Sequence, residues 1–176
     1  MKVKGIVDED FINFKKAAMY IAFPKCDFKC DRENGVQLCQ NCHLARQPDI
    51  EISISKVIER YLSNPITESV VIAGLEPFDT PEQLLNFIQA FRVHTSEPIV
   101  IYTGYTEEEL EEGYWYPSNT FEENKRIWQL IKDYGVIVKF GRFRPNQEKH
   151  YDEVLGVYLI SDNQYAKEYQ QKKFDF

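Results

Sequence analysis

The 176-residue chain predicts an α/β domain built on a mainly parallel sheet, and three observations carry that expectation. Five short apolar runs rich in β-branched and aromatic residues have the character of buried strands. Segments with apolar residues at helical spacing lie between them. No Pro/Gly/Ser linker, internal repeat or low-complexity tract breaks the alternation, so residues 1–176 are expected to form a single domain. Parallel neighbours are the consequence of alternation, because each crossover must bring the chain back to the same edge before the next strand starts.

The expected strands are Met19 to Phe23, Val70 to Ala73, Ile99 to Tyr102, Val136 to Phe140 and Val157 to Ile160. Ile54, Val57, Ile58, Tyr61 and Leu62 repeat at helical spacing, and Pro65 comes where that helix should have ended. Thr80-Pro81-Glu82-Gln83 has the form of a capping box with Pro at the first helical position, ahead of a buried stripe of Leu84, Ile88 and Phe91. A second box, Thr120 to Glu123, opens a helix carrying Phe121, Trp128, Ile131 and Tyr134 that Gly135 should terminate. The acidic cluster Glu107 to Glu112 is expected to be a solvated helix face.

Composition narrows the function. A hydrophobic fraction of 43% with 28% charged residues is globular rather than disordered. At a net charge of -7, with no Lys/Arg run interleaved with aromatics, a phosphate backbone would be repelled, so nucleic acid is not an expected partner. No apolar stretch approaches the roughly 18 residues a membrane span needs, and Met1-Lys2-Val3-Lys4-Gly5 leads into Asp8-Glu9-Asp10 without an apolar leader. No membrane partner and a cytoplasmic location are the expectations.

The segment at the end of each strand carries the chemistry. In parallel α/β folds the loops at the carboxyl ends of the strands meet at one face, where ligands bind. Here those segments are the cysteines, Gly74-Leu75-Glu76-Pro77, Thr103-Gly104-Tyr105, Gly141-Arg142-Phe143 and Ser161-Asp162-Asn163-Gln164. All four cysteines, Cys26, Cys30, Cys39 and Cys42, fall within seventeen residues, which suits metal ligation better than a disulfide framework. Their spacing alone leaves structural zinc and an iron-sulfur cluster open. A position after the first core strand favours a catalytic site, and a catalytic cluster needs only three cysteines because one iron must stay free for the substrate. His43, directly after Cys42, reads as a polar loop residue.

At these residues the chain resembles the radical S-adenosylmethionine superfamily, and among its members the activating proteins of anaerobic ribonucleotide reductase. Their CxxxCxxC after the first strand, often with Asn two residues past the last cysteine, is matched at its ends by Cys26-Asp27-Phe28-Lys29-Cys30 and Cys39-Gln40-Asn41, with six extra residues between. Gly74-Leu75-Glu76-Pro77 resembles their Gly-Gly-Glu-Pro, Gly141-Arg142-Phe143 their Gly-x-Phe, and Ser161-Asp162-Asn163-Gln164 their Ser-x-Asn-Gln. Leu38 stands where an aromatic residue is usual.

The resemblance implies an incomplete βα barrel of radical S-adenosylmethionine type and a 4Fe-4S cluster held by Cys26, Cys30 and Cys39, with Cys42 outside the ligand set. It implies S-adenosylmethionine bound by Gly74, Leu75 and Glu76, with Thr103 and Tyr105 as candidates for ribose or adenine contacts. Arg142 or Arg144 could pair with the methionine carboxylate. The implied chemistry is reductive cleavage to a 5'-deoxyadenosyl radical that activates a glycyl-radical enzyme, with a flavodoxin or ferredoxin-type electron donor. Small-molecule radical chemistry of the deazaguanine type and a non-enzymatic zinc-binding module are the alternatives.

Overall fold

The computed structural model describes residues 1–172. Among these described residues, ten strands and six α-helices succeed one another in the order β1 (Lys2–Val3), β2 (Gly5–Asp10), β3 (Ala18–Phe23), α1 (Lys29–Asn34), α2 (Cys42–Ala45), β4 (Ile50–Glu51), α3 (Ile54–Leu62), β5 (Val70–Gly74), α4 (Pro81–His94), β6 (Ile99–Tyr102), α5 (Glu107–Glu112), α6 (Phe121–Asp133), β7 (Ile137–Phe140), β8 (His150–Asp152), β9 (Val157–Leu159) and β10 (Tyr165–Glu168). Six of the strands form one mixed sheet in the order β10-β7-β6-β5-β3-β2. Its centre is parallel, with β3, β5, β6 and β7 side by side in chain order, and both edge strands are antiparallel.

The central strands are hydrophobic on both faces because both faces are covered. Met19, Ile21 and Phe23 of β3, Val70 and Ile72 of β5, Ile99 and Ile101 of β6, and Val138 and Phe140 of β7 point into the larger core. There they meet Val57, Ile58 and Tyr61 of α3, Leu84, Ile88 and Phe91 of α4, and Trp128 and Ile131 of α6. The alternate residues Ala18, Val71, Ala73, Val100 and Ile137 face a smaller apolar cluster with Phe14, Leu155 and Leu159. Tyr20, Tyr102 and Lys139 have the same strand parity, so polar groups stand on this second face near the carboxyl ends of the strands.

Three expectations need correction. Val157–Leu159 is not a fifth parallel strand: it pairs antiparallel with His150–Asp152 in a separate hairpin. The segment from Phe140 to Val157 contains Pro145 and no helical repeat, so it cannot make the crossover a parallel strand requires. Gly156, at φ +72°, closes the hairpin turn, and Leu155 and Leu159 lay the hairpin on the sheet's second face. The last sheet strand is Tyr165–Glu168, whose mixed polar sequence lacks a strand signature.

The Thr80 box does not form, because Thr80 Oγ1 donates to Pro77 O and Gln83 instead pairs with both backbone groups of Lys2. The box at Thr120 does form, with reciprocal bonds to Glu123. Of the residues this helix carries, Trp128 and Ile131 are buried, while Phe121 lies exposed against Tyr114. Finally, the acidic helix α5 is not uniformly solvated. Glu107 and Glu109 are partly buried and ion-paired, Glu107 to Lys167 and Glu109 to Lys29 and Arg142.

Candidate functional site

A cavity of about 510 Å³ opens at the carboxyl ends of the parallel strands. All five segments singled out in the sequence reach it: Cys26 to Asn41, Gly74 to Glu76, Thr103 to Tyr105, Gly141 to Phe143, and Gln164. The last arrives beside β10 rather than after a parallel strand. Cys26, Cys30 and Cys39 line the cavity, whereas Cys42 and His43 do not.

The cysteine segment is held by specific bonds to the sheet. Asn41 Nδ2 donates to Gly74 O at 2.7 Å, and Glu76 N donates to Lys25 O at 2.7 Å, so both ends of the loop are tied to the end of β5. The six additional residues are folded back onto the motif by Asp31, whose Oδ1 accepts from Leu38 N and Cys39 N at 2.8 Å each. That brings Cys39 near Cys30 despite the long insertion. Gly35, at φ +69°, ends α1 and permits the reversal. Lys29, adjacent to Cys30, reaches Glu109 of α5, and the same carboxylate oxygen accepts from Arg142 Nη2 at 2.8 Å. Lys29 and Arg142 stand 5.6 and 5.5 Å from the centre of the Tyr105 ring.

Glu76 is the best-anchored acid in the cavity. Its Oε1 accepts from Thr103 Oγ1 at 2.8 Å and Phe78 N at 3.1 Å, and its Oε2 accepts from Gly104 N at 2.8 Å. Burial, and then the nearby Asp79 carboxylate, push its pKa up to about 8 against these bonds. An ionised carboxylate has about four acceptor positions, so three protein donors fix its orientation and leave room for one ligand donor. Gly74 could not be replaced without strain: its φ is +87° and a Cβ there would lie 2.7 Å from Ala22 Cα. Leu75 is buried beside it and lines the cavity through a position where the backbone makes the turn.

Thr103 and Tyr105 both line the cavity, with their hydroxyls committed to protein partners. Thr103 serves Glu76 and accepts from Tyr105 N, while the Tyr105 hydroxyl lies 2.9 Å from Asp79 Oδ1 and 2.8 Å from Trp115 O. Arg142 has two carboxylate partners, Glu109 and Glu33, and Arg144 is exposed. Glu109 and Lys139 are site residues that sequence reasoning missed. A lysine inside the apolar run Val136 to Phe140, in register with inward-facing positions, was the signal that could have found the second.

The three cavity thiols suit a metal cluster chemically. Burial raises the Cys26 and Cys39 thiols and brings Cys30 up to about 11, so they are neutral without metal and become ligands by losing protons on binding. One zinc ion with four thiolates at about 2.3 Å would need sulfurs about 3.8 Å apart. Among the described residues, no three cysteines gather within 4.8 Å; the tight ligand group is Cys26, Asp27 and Asp79.

An α/β sheet carrying thiols at the carboxyl ends of its parallel strands defines a thiolate-ligated metal domain. The chain matches the 4Fe-4S single cluster domain over residues 16–165 and belongs to that family. No curated protein and no solved structure matches it.

Proposed function

We infer that the protein is a radical S-adenosylmethionine enzyme. The observation that carries the reading is the placement of a buried, pre-oriented Glu76 carboxylate in the same cavity as Cys26, Cys30 and Cys39. Cys42 lies off that cavity, which suits a cluster keeping one iron without a cysteine for substrate. Four parallel strands side by side in chain order suit an incomplete βα barrel.

The cluster and S-adenosylmethionine together would supply one-electron cleavage of a carbon-sulfur bond, giving methionine and a 5'-deoxyadenosyl radical. The chain's own contribution is positioning. Glu76 receives the substrate ammonium in a charge-assisted bond whose direction Thr103, Phe78 and Gly104 set in advance. Asn41 ties the cysteine loop to β5, and Asp31 folds the loop's inserted residues back onto the motif.

A glycyl-radical partner is the favoured recipient. About 510 Å³ is within the range of a site for one cofactor-sized ligand, leaving little enclosed space for a second metabolite. Ile12 and Tyr158, 77% and 69% exposed, line the cavity where a partner's loop would enter. A flavodoxin or ferredoxin-type protein would supply the electron. Anaerobic reconstitution with iron and sulfide, reduction, and addition of S-adenosylmethionine should yield 5'-deoxyadenosine. A reconstituted cluster that is reduced yet leaves S-adenosylmethionine intact would overturn the reading.

A further inference from the structure

The turn that carries Glu76 also grips the chain on both sides of Cys26. Glu76 N donates to Lys25 O at 2.7 Å, and Asp27 N donates to Asp79 Oδ2 at 2.8 Å. The first bond joins two backbone groups, whereas the second depends on the Asp79 side chain. Asp79 is 8% exposed, and no step of the proposed chemistry uses it. Its other oxygen, Oδ1, lies 2.9 Å from the Tyr105 hydroxyl, which also stands 2.8 Å from Trp115 O. The direction of the carboxylate is therefore set from the core side.

The close grouping of Cys26, Asp27 and Asp79 is a clamp, not a second metal site. Every carboxylate oxygen in it has a protein partner. The Asp27 oxygens accept from Lys29 N and Arg32 Nη2, and the Asp79 oxygens face Asp27 N and Tyr105. Arg32 also holds Asp27 O, but from solvent, where an exposed ion pair contributes little. The peptide that follows presents Phe28 N to Cys26 Sγ at 3.3 Å. Phe28 then turns left-handed, at φ 54° and ψ 39°, to start α1, a conformation that a residue with a side chain keeps only when its surroundings fix it.

We propose that Asp79 is a positioning residue for the cluster: by fixing the Asp27 amide it keeps the Phe28 N–H aimed at the Cys26 sulfur, and so raises the reduction potential. An N–H pointed at a ligating sulfur stabilises the extra negative charge that reduction brings, and hydrogen bonds of this kind are one of the determinants of cluster potential. Burial makes the Cys26 thiol harder to ionise, and the Phe28 bond opposes that effect. The inference rests on Cys26 as a cluster ligand, which belongs to the proposed function, and not on which molecule the cavity binds.

The test is a redox titration of the reconstituted protein, read from the electron paramagnetic resonance signal of the reduced cluster, in Asp79→Asn and Asp79→Leu. Both variants remove the charge and keep the approximate shape, but Asn retains an oxygen for the Asp27 amide. Asp79→Leu should therefore have the lower midpoint potential of the two, with iron still bound in both. Equal potentials, or a higher one in Asp79→Leu, would show that Arg32 suffices and overturn the inference while leaving the proposed function standing. A cluster retained in Cys26→Ala would overturn the ligand assignment on which both rest. Metal-free wild-type protein covers the case of a variant that does not assemble. There the Asp27 amide should exchange at least about 10-fold more slowly than the amides of exposed Val36 and Gln37 in the same loop. Exchange as fast as theirs would overturn the inference.

Discussion

Glu76 shows how a single side chain can be prepared for a ligand at a cost to the protein. Three hydrogen bonds hold the carboxylate, yet burial raises its pKa to about 8. With the unfolded value near 4.5, the folded metal-free protein binds the extra proton between these limits. Stability contributed by this group is therefore complete below about pH 4.5 and is lost as pH rises through about 8. Urea unfolding of the metal-free protein at pH 5 and pH 8 should show that loss in wild type, and a flatter dependence in Glu76→Gln. The same substitution should weaken S-adenosylmethionine binding by about 1.5 to 3 kcal/mol, the range for a hydrogen bond to a charged group. Gln is the better probe than Ala because its amide oxygen still accepts from Thr103 and Phe78. Wild-type affinity in Glu76→Gln would remove Glu76 from the ligand site.

The cysteines divide at the same scale. Cys26, Cys30 and Cys39 line one cavity and Cys42 stands outside it. Iron content after reconstitution should collapse when any of the first three is replaced by Ala and persist in Cys42→Ala. Loss of the cluster in Cys42→Ala would refute the three-thiol assignment.

At the scale of elements, the cysteine loop is positioned by a helix remote in sequence. The capping box of α5 joins Thr106 and Glu109, and Glu109 also pairs with Lys29 and Arg142. Burial opposes ionisation of Glu109, but the Arg142 and Lys29 contacts outweigh it and hold its pKa down to about 2. Glu109→Gln should release Lys29 and loosen α1 without unfolding the sheet. The expected result is several-fold faster amide exchange over residues 28–42 in the metal-free protein, from a lost local clamp. Unchanged exchange would show that Asp31 and Asn41 suffice to hold the loop.

For the whole molecule, the decisive feature is that the sheet's two faces differ. One is sealed by α3, α4 and α6, while the other leads from a small apolar cluster to a polar cavity with exposed Ile12 and Tyr158 at its edge. If that opening admits a partner's loop, incubation of the reduced, reconstituted protein with S-adenosylmethionine and a glycyl-radical enzyme should generate a radical signal on the partner. Turnover of a free metabolite with no partner present would favour the small-molecule alternative.

The sequence by itself determined the central strands, the helix at Thr120, the clustering of thiols and the chain segments that meet at the cavity. Those features are written in hydrophobic periodicity, reciprocal caps and residue spacing, all of which act over a few neighbouring positions. Tertiary structure decided what depended on distant partners. Only folding placed Tyr165–Glu168 on an edge against β7, turned Val157–Leu159 into a hairpin strand, and gave Gln83 the Lys2 backbone in place of its own helix cap. Folding likewise brought Glu109 to Lys29 across eighty positions and buried Lys139 with its ammonium on Gly141 O. Burial and electrostatic pairing depend on which groups meet in space, and no local pattern specifies those meetings.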